Sequence, residues 1–130
     1  QEDPLPTGSE KILFVDDEPE IATMAEEMLK ALGYTPLTLN HGNGAYRIFQ
    51  GDPMRFDLVI TDQVMPGMKG IELIEKIKAI RPEIPVILCT GFSESYTQKQ
   101  AEDLGIAGIL MKPIVMRDMA EMIHNALKNK

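Results

Sequence analysis

Cysteine is nearly absent from this sequence: Cys89 stands alone, so no internal disulfide can form and a reducing cytoplasm is the expected compartment. Long hydrophobic runs are missing too, and none approaches the roughly 18 residues that would suggest a membrane span. Residues 1–10 are polar and Pro-rich and lack the apolar stretch of a signal peptide. Positive charge is scarce, with 13 Lys and Arg against 20 Asp and Glu, a net charge of −7. That balance, with no Lys/Arg cluster, argues against direct binding to nucleic acid. No membrane contact is expected either.

What remains is ordinary for a globular protein: 130 residues, 44% hydrophobic and 25% charged, enough for one domain with a single core. The first residue is Gln rather than Met, and the chain reads as a piece of a larger protein. Pro4, Pro6 and Gly8 mark residues 1–10 as a linker, which leaves 11–130 as the domain. Within it, apolar runs alternate with helical patterns five times. The expected strands are Lys11–Val15, Thr35–Leu39, Asp57–Thr61, Ile84–Cys89 and Ile106–Met111. Helices are expected over Glu18–Leu32 with Gly33 at its C-terminal end, from after Gly44 to near Gly51, and over Gly70–Ile80. Two more are expected over Ser93–Leu104 and Val115–Leu127, and Gly42-Asn43-Gly44 reads as a turn.

This alternation predicts an α/β fold with right-handed crossovers and a parallel five-stranded sheet covered by helices on both faces. The second strand alternates polar and apolar residues and contains Pro36, so it belongs at an edge. The doubly wound order 2-1-3-4-5 puts it there, with the active crevice beyond the carboxyl ends of the strands. Polar residues follow or end four of the apolar runs: Asp16 and Asp17, then Asp62, Thr90 and Lys112. In a parallel sheet these lie at one edge. Clustered carboxylates call for a hard cation with oxygen ligands, and Mg2+ fits because it accepts one or two carboxylates plus waters and phosphate oxygens. A carboxylate nucleophile, a metal, a lysine and a hydroxyl are the parts of an aspartyl-phosphate site.

The motifs Val15-Asp-Asp-Glu-Pro19, Asp62-Gln-Val-Met-Pro-Gly-Met-Lys-Gly70, Cys89-Thr-Gly-Phe-Ser-Glu94 and Met111-Lys-Pro113 resemble the receiver domains of response regulators and hybrid sensor kinases. Each motif alone is weak; four in order at four strand ends are specific. The resemblance implies a flavodoxin-like fold and a phosphoryl group taken on Asp62 from a histidine kinase or a histidine phosphotransfer protein. It implies Mg2+ held directly by Asp17 and Asp62, by Asp16 largely through water, and by the Val64 backbone carbonyl. Thr90 and Lys112 would contact the phosphoryl group, and Lys112-Pro113 would be a cis bond. The conformational switch of such domains pairs the threonine with an aromatic residue, but here that second position is Ile109. Dimerisation through the last two helices is a further implication. The linker and the Thr-Gly-Phe-Ser-Glu run resemble C-terminal receivers of hybrid sensor histidine kinases; a stand-alone regulator is the alternative.

Other readings of the same residues carry less. Asp17 with Glu20 could form a helix capping box. A haloacid-dehalogenase-type hydrolase would place Asp-x-Asp after the first strand, where this chain has Asp16-Asp17-Glu18. A degenerate receiver that only binds partners would have lost the acceptor or the acidic pair. Cys89 reads as inert core, the methionines as core stripes, and His41 and His124 as loop and surface residues.

Overall fold

The computed structural model describes residues 4–91 and 98–128. Five strands alternate with five helices: β1 (Lys11–Val15), α1 (Pro19–Ala31), β2 (Thr35–Leu39), α2 (Gly42–Gly51), β3 (Leu58–Asp62), α3 (Gly70–Ile80), β4 (Val86–Thr90), α4 (Gln98–Asp103), β5 (Gly108–Met111) and α5 (Met116–Lys128). All four pairings are parallel and the strand order is β2-β1-β3-β4-β5. The doubly wound sheet and its order are those the sequence predicts, with β2 at the edge. No described helix is long and apolar enough to cross a membrane.

Strands β1, β3 and β4 are buried on both faces, which is why they read as unbroken apolar runs. Alternate residues feed two cores. Ile12, Phe14, Leu58, Ile60, Ile87 and Cys89 pack with α1 and α5, while Leu13, Val15, Val59, Val86 and Leu88 pack with α2 and α3.

Helix boundaries show where local chemistry and packing each decide. Gly33, at φ +97°, ends α1 in a Schellman turn: its N–H donates to Lys30 O at 3.0 Å and Tyr34 N–H to Leu29 O at 3.0 Å. Pro19 starts α1 behind Glu18, and no side chain caps it, so the capping role weighed for Asp17 is not the one observed. Helix α2 begins at Gly42 rather than after Gly44, correcting the turn expected over Gly42–Gly44. Its glycines are poor helix formers, but Gly42 is tucked beneath Met68, where an added Cβ would meet Sδ at 3.1 Å, so packing overrides propensity. Strands β3 and β4 each end one residue later than expected and so include Asp62 and Thr90. Residues 93–97 of the expected fourth helix, and Phe92 just before it, lie outside the described residues.

Residues 4–10 carry no helix or strand, as their prolines dictate, yet they lie against the domain. Leu5 packs on the α1/α5 core, Gly8 N–H donates to Leu32 O at 3.1 Å, and Thr35 N–H donates to Glu10 O at 2.9 Å.

Candidate functional site

Strands β1, β3, β4 and β5 leave the sheet at one edge, and the polar residues singled out from the sequence stand there. Asp16 is tied to the end of β2: its N–H donates to Leu39 O at 3.0 Å, and Asn40 Nδ2 donates to its carbonyl at 3.2 Å. The Asp16 side chain is fully buried, and its Oδ1 accepts the Glu18 N–H at 2.9 Å. Oδ2 accepts no hydrogen bond and lies 3.6 Å from Lys112 Nζ. Burial pushes this carboxyl above its ordinary range, against the opposing pull of the Glu18 amide and Lys112.

Asp62 ends β3 with only 2% exposure, and its Oδ1 pairs with Lys112 Nζ at 2.8 Å. Asp17 is half-buried beside them. One oxygen from each of Asp16, Asp17 and Asp62 lies within 4.8 Å of the others. Three such carboxylates repel, one of their buried oxygens accepts no hydrogen bond, and Lys112 brings a single positive charge. The donor set suits a hard divalent cation, and Mg2+ in particular, which keeps open positions for water and phosphate oxygens.

Thr90 ends β4, 1% exposed, and its hydroxyl donates to Gly91 O at 3.2 Å. Lys112 N–H donates to Thr90 O at 2.9 Å, which fixes the lysine backbone against β4, and the following bond to Pro113 is cis. Val64 projects its side chain outward, 53% exposed, two residues beyond Asp62. Ile109 stands opposite Leu88 in the β4–β5 ladder, half-buried against the α2/α3 core. Cys89 is buried core, and His41 and His124 are exposed.

Two residues at this edge escaped the sequence reading. Asn40 pins the β1 end, and Gln63, 2% exposed, accepts the Ile71 N–H on its side-chain Oε1 at 2.9 Å. Both are short polar interruptions after strands, a pattern shared by countless surface loops, so no sequence signal set them apart.

Comparison with known proteins agrees with this geometry. The family model described as "Response regulator receiver domain" matches residues 12–124. The response regulator receiver protein CpdR of Brucella abortus is 31% identical, over 90% of this chain and 96% of its own length. Sporulation initiation phosphotransferase F of Bacillus subtilis is 31% identical, over 94% of this chain and 97% of its own. The transcriptional regulatory protein ZraR of Salmonella typhimurium is 33% identical over 92% of this chain, which spans only 27% of that larger protein. Among solved structures, a response regulator receiver domain protein from Clostridium thermocellum superposes with a TM-score of 0.87 at 32% identity, covering 92% of this chain and 95% of the other. The chemotaxis protein CheY4 of Vibrio cholerae gives 0.83 at 26% identity, covering 92% and 99%. This chain therefore belongs to the response regulator receiver domain family of two-component systems.

Proposed function

We propose that the domain accepts a phosphoryl group on Asp62 from a phosphohistidine of a histidine kinase or histidine phosphotransfer protein. The observation that carries this reading is the trio Asp16, Asp17 and Asp62 gathered within 4.8 Å, with Lys112 Nζ 2.8 Å from Asp62. An Asp62 carboxylate oxygen attacks phosphorus, the new O–P bond forms, and the N–P bond breaks with its electron pair returning to the imidazole. Asp16, Asp17, Asp62 and the Val64 carbonyl would hold Mg2+, which when bound neutralises charge on the phosphoryl oxygens. Lys112 gives up its ion pair with Asp62 to face a phosphoryl oxygen, and Thr90 turns its hydroxyl from Gly91 O to another. That turn is the signal. With Ile109 in place of an aromatic partner, the accompanying rearrangement is small and centres on α4, β5 and α5, the faces also available for dimerisation.

In the larger protein we place this domain as the C-terminal receiver of a hybrid sensor histidine kinase, on the cytoplasmic side. A stand-alone regulator is the second reading, favoured by two relatives that it matches over 96% and 97% of their own lengths. Radiolabelled acetyl phosphate with Mg2+ tests the acceptor. The unmutated protein should take label, and Asp62→Asn should take none while melting as a folded protein. Label retained by Asp62→Asn overturns the assignment.

A further inference from the structure

Gln63 directly follows the acceptor, is buried, and has no part in the chemistry just described. Both of its carbonyl oxygens are spent on α3. The backbone oxygen accepts the Gly70 N–H at 2.9 Å, and the side-chain Oε1 accepts the Ile71 N–H at 2.9 Å. Its own N–H donates to Cys89 O in β4 at 3.0 Å. The leading amides of a helix have no partner within the helix, and the residue immediately before it commonly supplies one. Here a residue several positions back does so, and the loop of residues 64–69 becomes a closed ring. The closure is tight: a Cβ added at Gly70 would stand 2.3 Å from the Asp62 carbonyl oxygen.

Val64 is the first residue of that ring. A carbonyl offered by a loose loop must be ordered when a cation arrives, and the lost backbone freedom opposes binding. A carbonyl offered by a ring already fastened to β4 and α3 avoids most of that loss. We infer that Gln63 is a positioning residue: by holding the first amides of α3, it fixes the 64–69 loop so that the Val64 carbonyl meets a cation shared by Asp16, Asp17 and Asp62. The inference rests on the metal and acceptor roles proposed above. Residues that orient metal ligands without touching the metal typically alter affinity by about 10-fold or more when replaced.

The test is calorimetric titration of the full chain with MgCl2, comparing the unmutated protein, Gln63→Met and Ile77→Val. Methionine keeps the length of glutamine but offers no carbonyl to Ile71. Ile77→Val loosens the far, buried part of α3 and lowers stability without touching the ring. Gln63→Met should bind Mg2+ about 10-fold more weakly, and Ile77→Val should bind it as the unmutated protein does. Unchanged affinity in Gln63→Met, or equal weakening in both variants, overturns the inference. Should Gln63→Met fail to fold, the unmutated protein still decides. Mg2+ should slow hydrogen exchange at the Ile71 amide, and exchange there that ignores Mg2+ is contrary. Unmutated protein that binds Mg2+ yet takes no label on Asp62 contradicts the phosphoacceptor reading alone, and leaves the role of Gln63 to be judged by affinity.

Discussion

Asp16 is the residue at which folding and function pull hardest against each other. Its carboxyl is fully buried, and burial raises its folded pKa above the ordinary value of 3.8. A carboxyl shifted upward favours folding only while protonated; that contribution is complete below the ordinary value and is lost as pH rises through the folded one. In chelator, Asp16→Asn should therefore melt higher than the unmutated protein at neutral pH, by about 3–5 °C if the relief is about 1 kcal/mol. The gap should close toward pH 4, and stabilisation by Mg2+ should shrink in the variant. An equal or lower melt at neutral pH would contradict this. Val64 offers a second test: its side chain cannot hydrogen-bond an attacking water, so the phosphorylated state should persist, and Val64→Asn should hasten loss of label after donor removal. Slower loss in the variant sinks that argument. Arg81 is different in kind, since its guanidinium donates to Pro53 O at 3.0 Å and Phe56 O at 2.6 Å and serves the fold alone. Arg81→Met should lose about 2–3 kcal/mol in urea unfolding, and a loss near zero would count against it. Asp16, Asp62, Thr90 and Lys112 were legible because they interrupt or end apolar strands. Arg81 and Gln63 were not, because burial of a polar residue after a helix or strand is decided by distant segments.

At the scale of elements, what could be read was periodicity. β1, β2 and α3 lie where the sequence places them: the apolar run of β1 is too short for a helix, β2 alternates strictly, and Ile71, Ile74 and Ile77 recur at helical spacing in α3. The start of α2 was illegible: two glycines promise a turn, and only the fit of Gly42 under Met68 makes them helical. Helix α4 buries little, Ala101 being its buried apolar residue among those described. A groove of about 680 Å³ runs along β5 and α5, bounded by Ile109, Met111, Glu121 and Met122. A weakly anchored helix is the easiest element to displace. Phosphorylation should therefore change hydrogen exchange in α4, β5 and α5, and change confined to α1 would refute this choice of output face.

For the whole molecule, the sheet order dictates the rest. The topology gathers the carboxyl ends of β1, β3, β4 and β5, so residues far apart in sequence share one small volume. Acidic side chains concentrated there and a net charge of −7 both favour a cation as partner. A cation that binds the native site and not the unfolded chain stabilises the fold, so under the proposed metal role millimolar Mg2+ should raise the melting temperature over that in chelator; an unchanged melt would remove the metal from the account. The proposed acyl phosphate can be located directly. Protein treated with acetyl phosphate and Mg2+, reduced with borohydride and digested, yields a peptide in which the phosphorylated aspartate has become homoserine. Mass spectrometry should place that change at Asp62, and homoserine at any other aspartate in its stead would contradict the account at its centre.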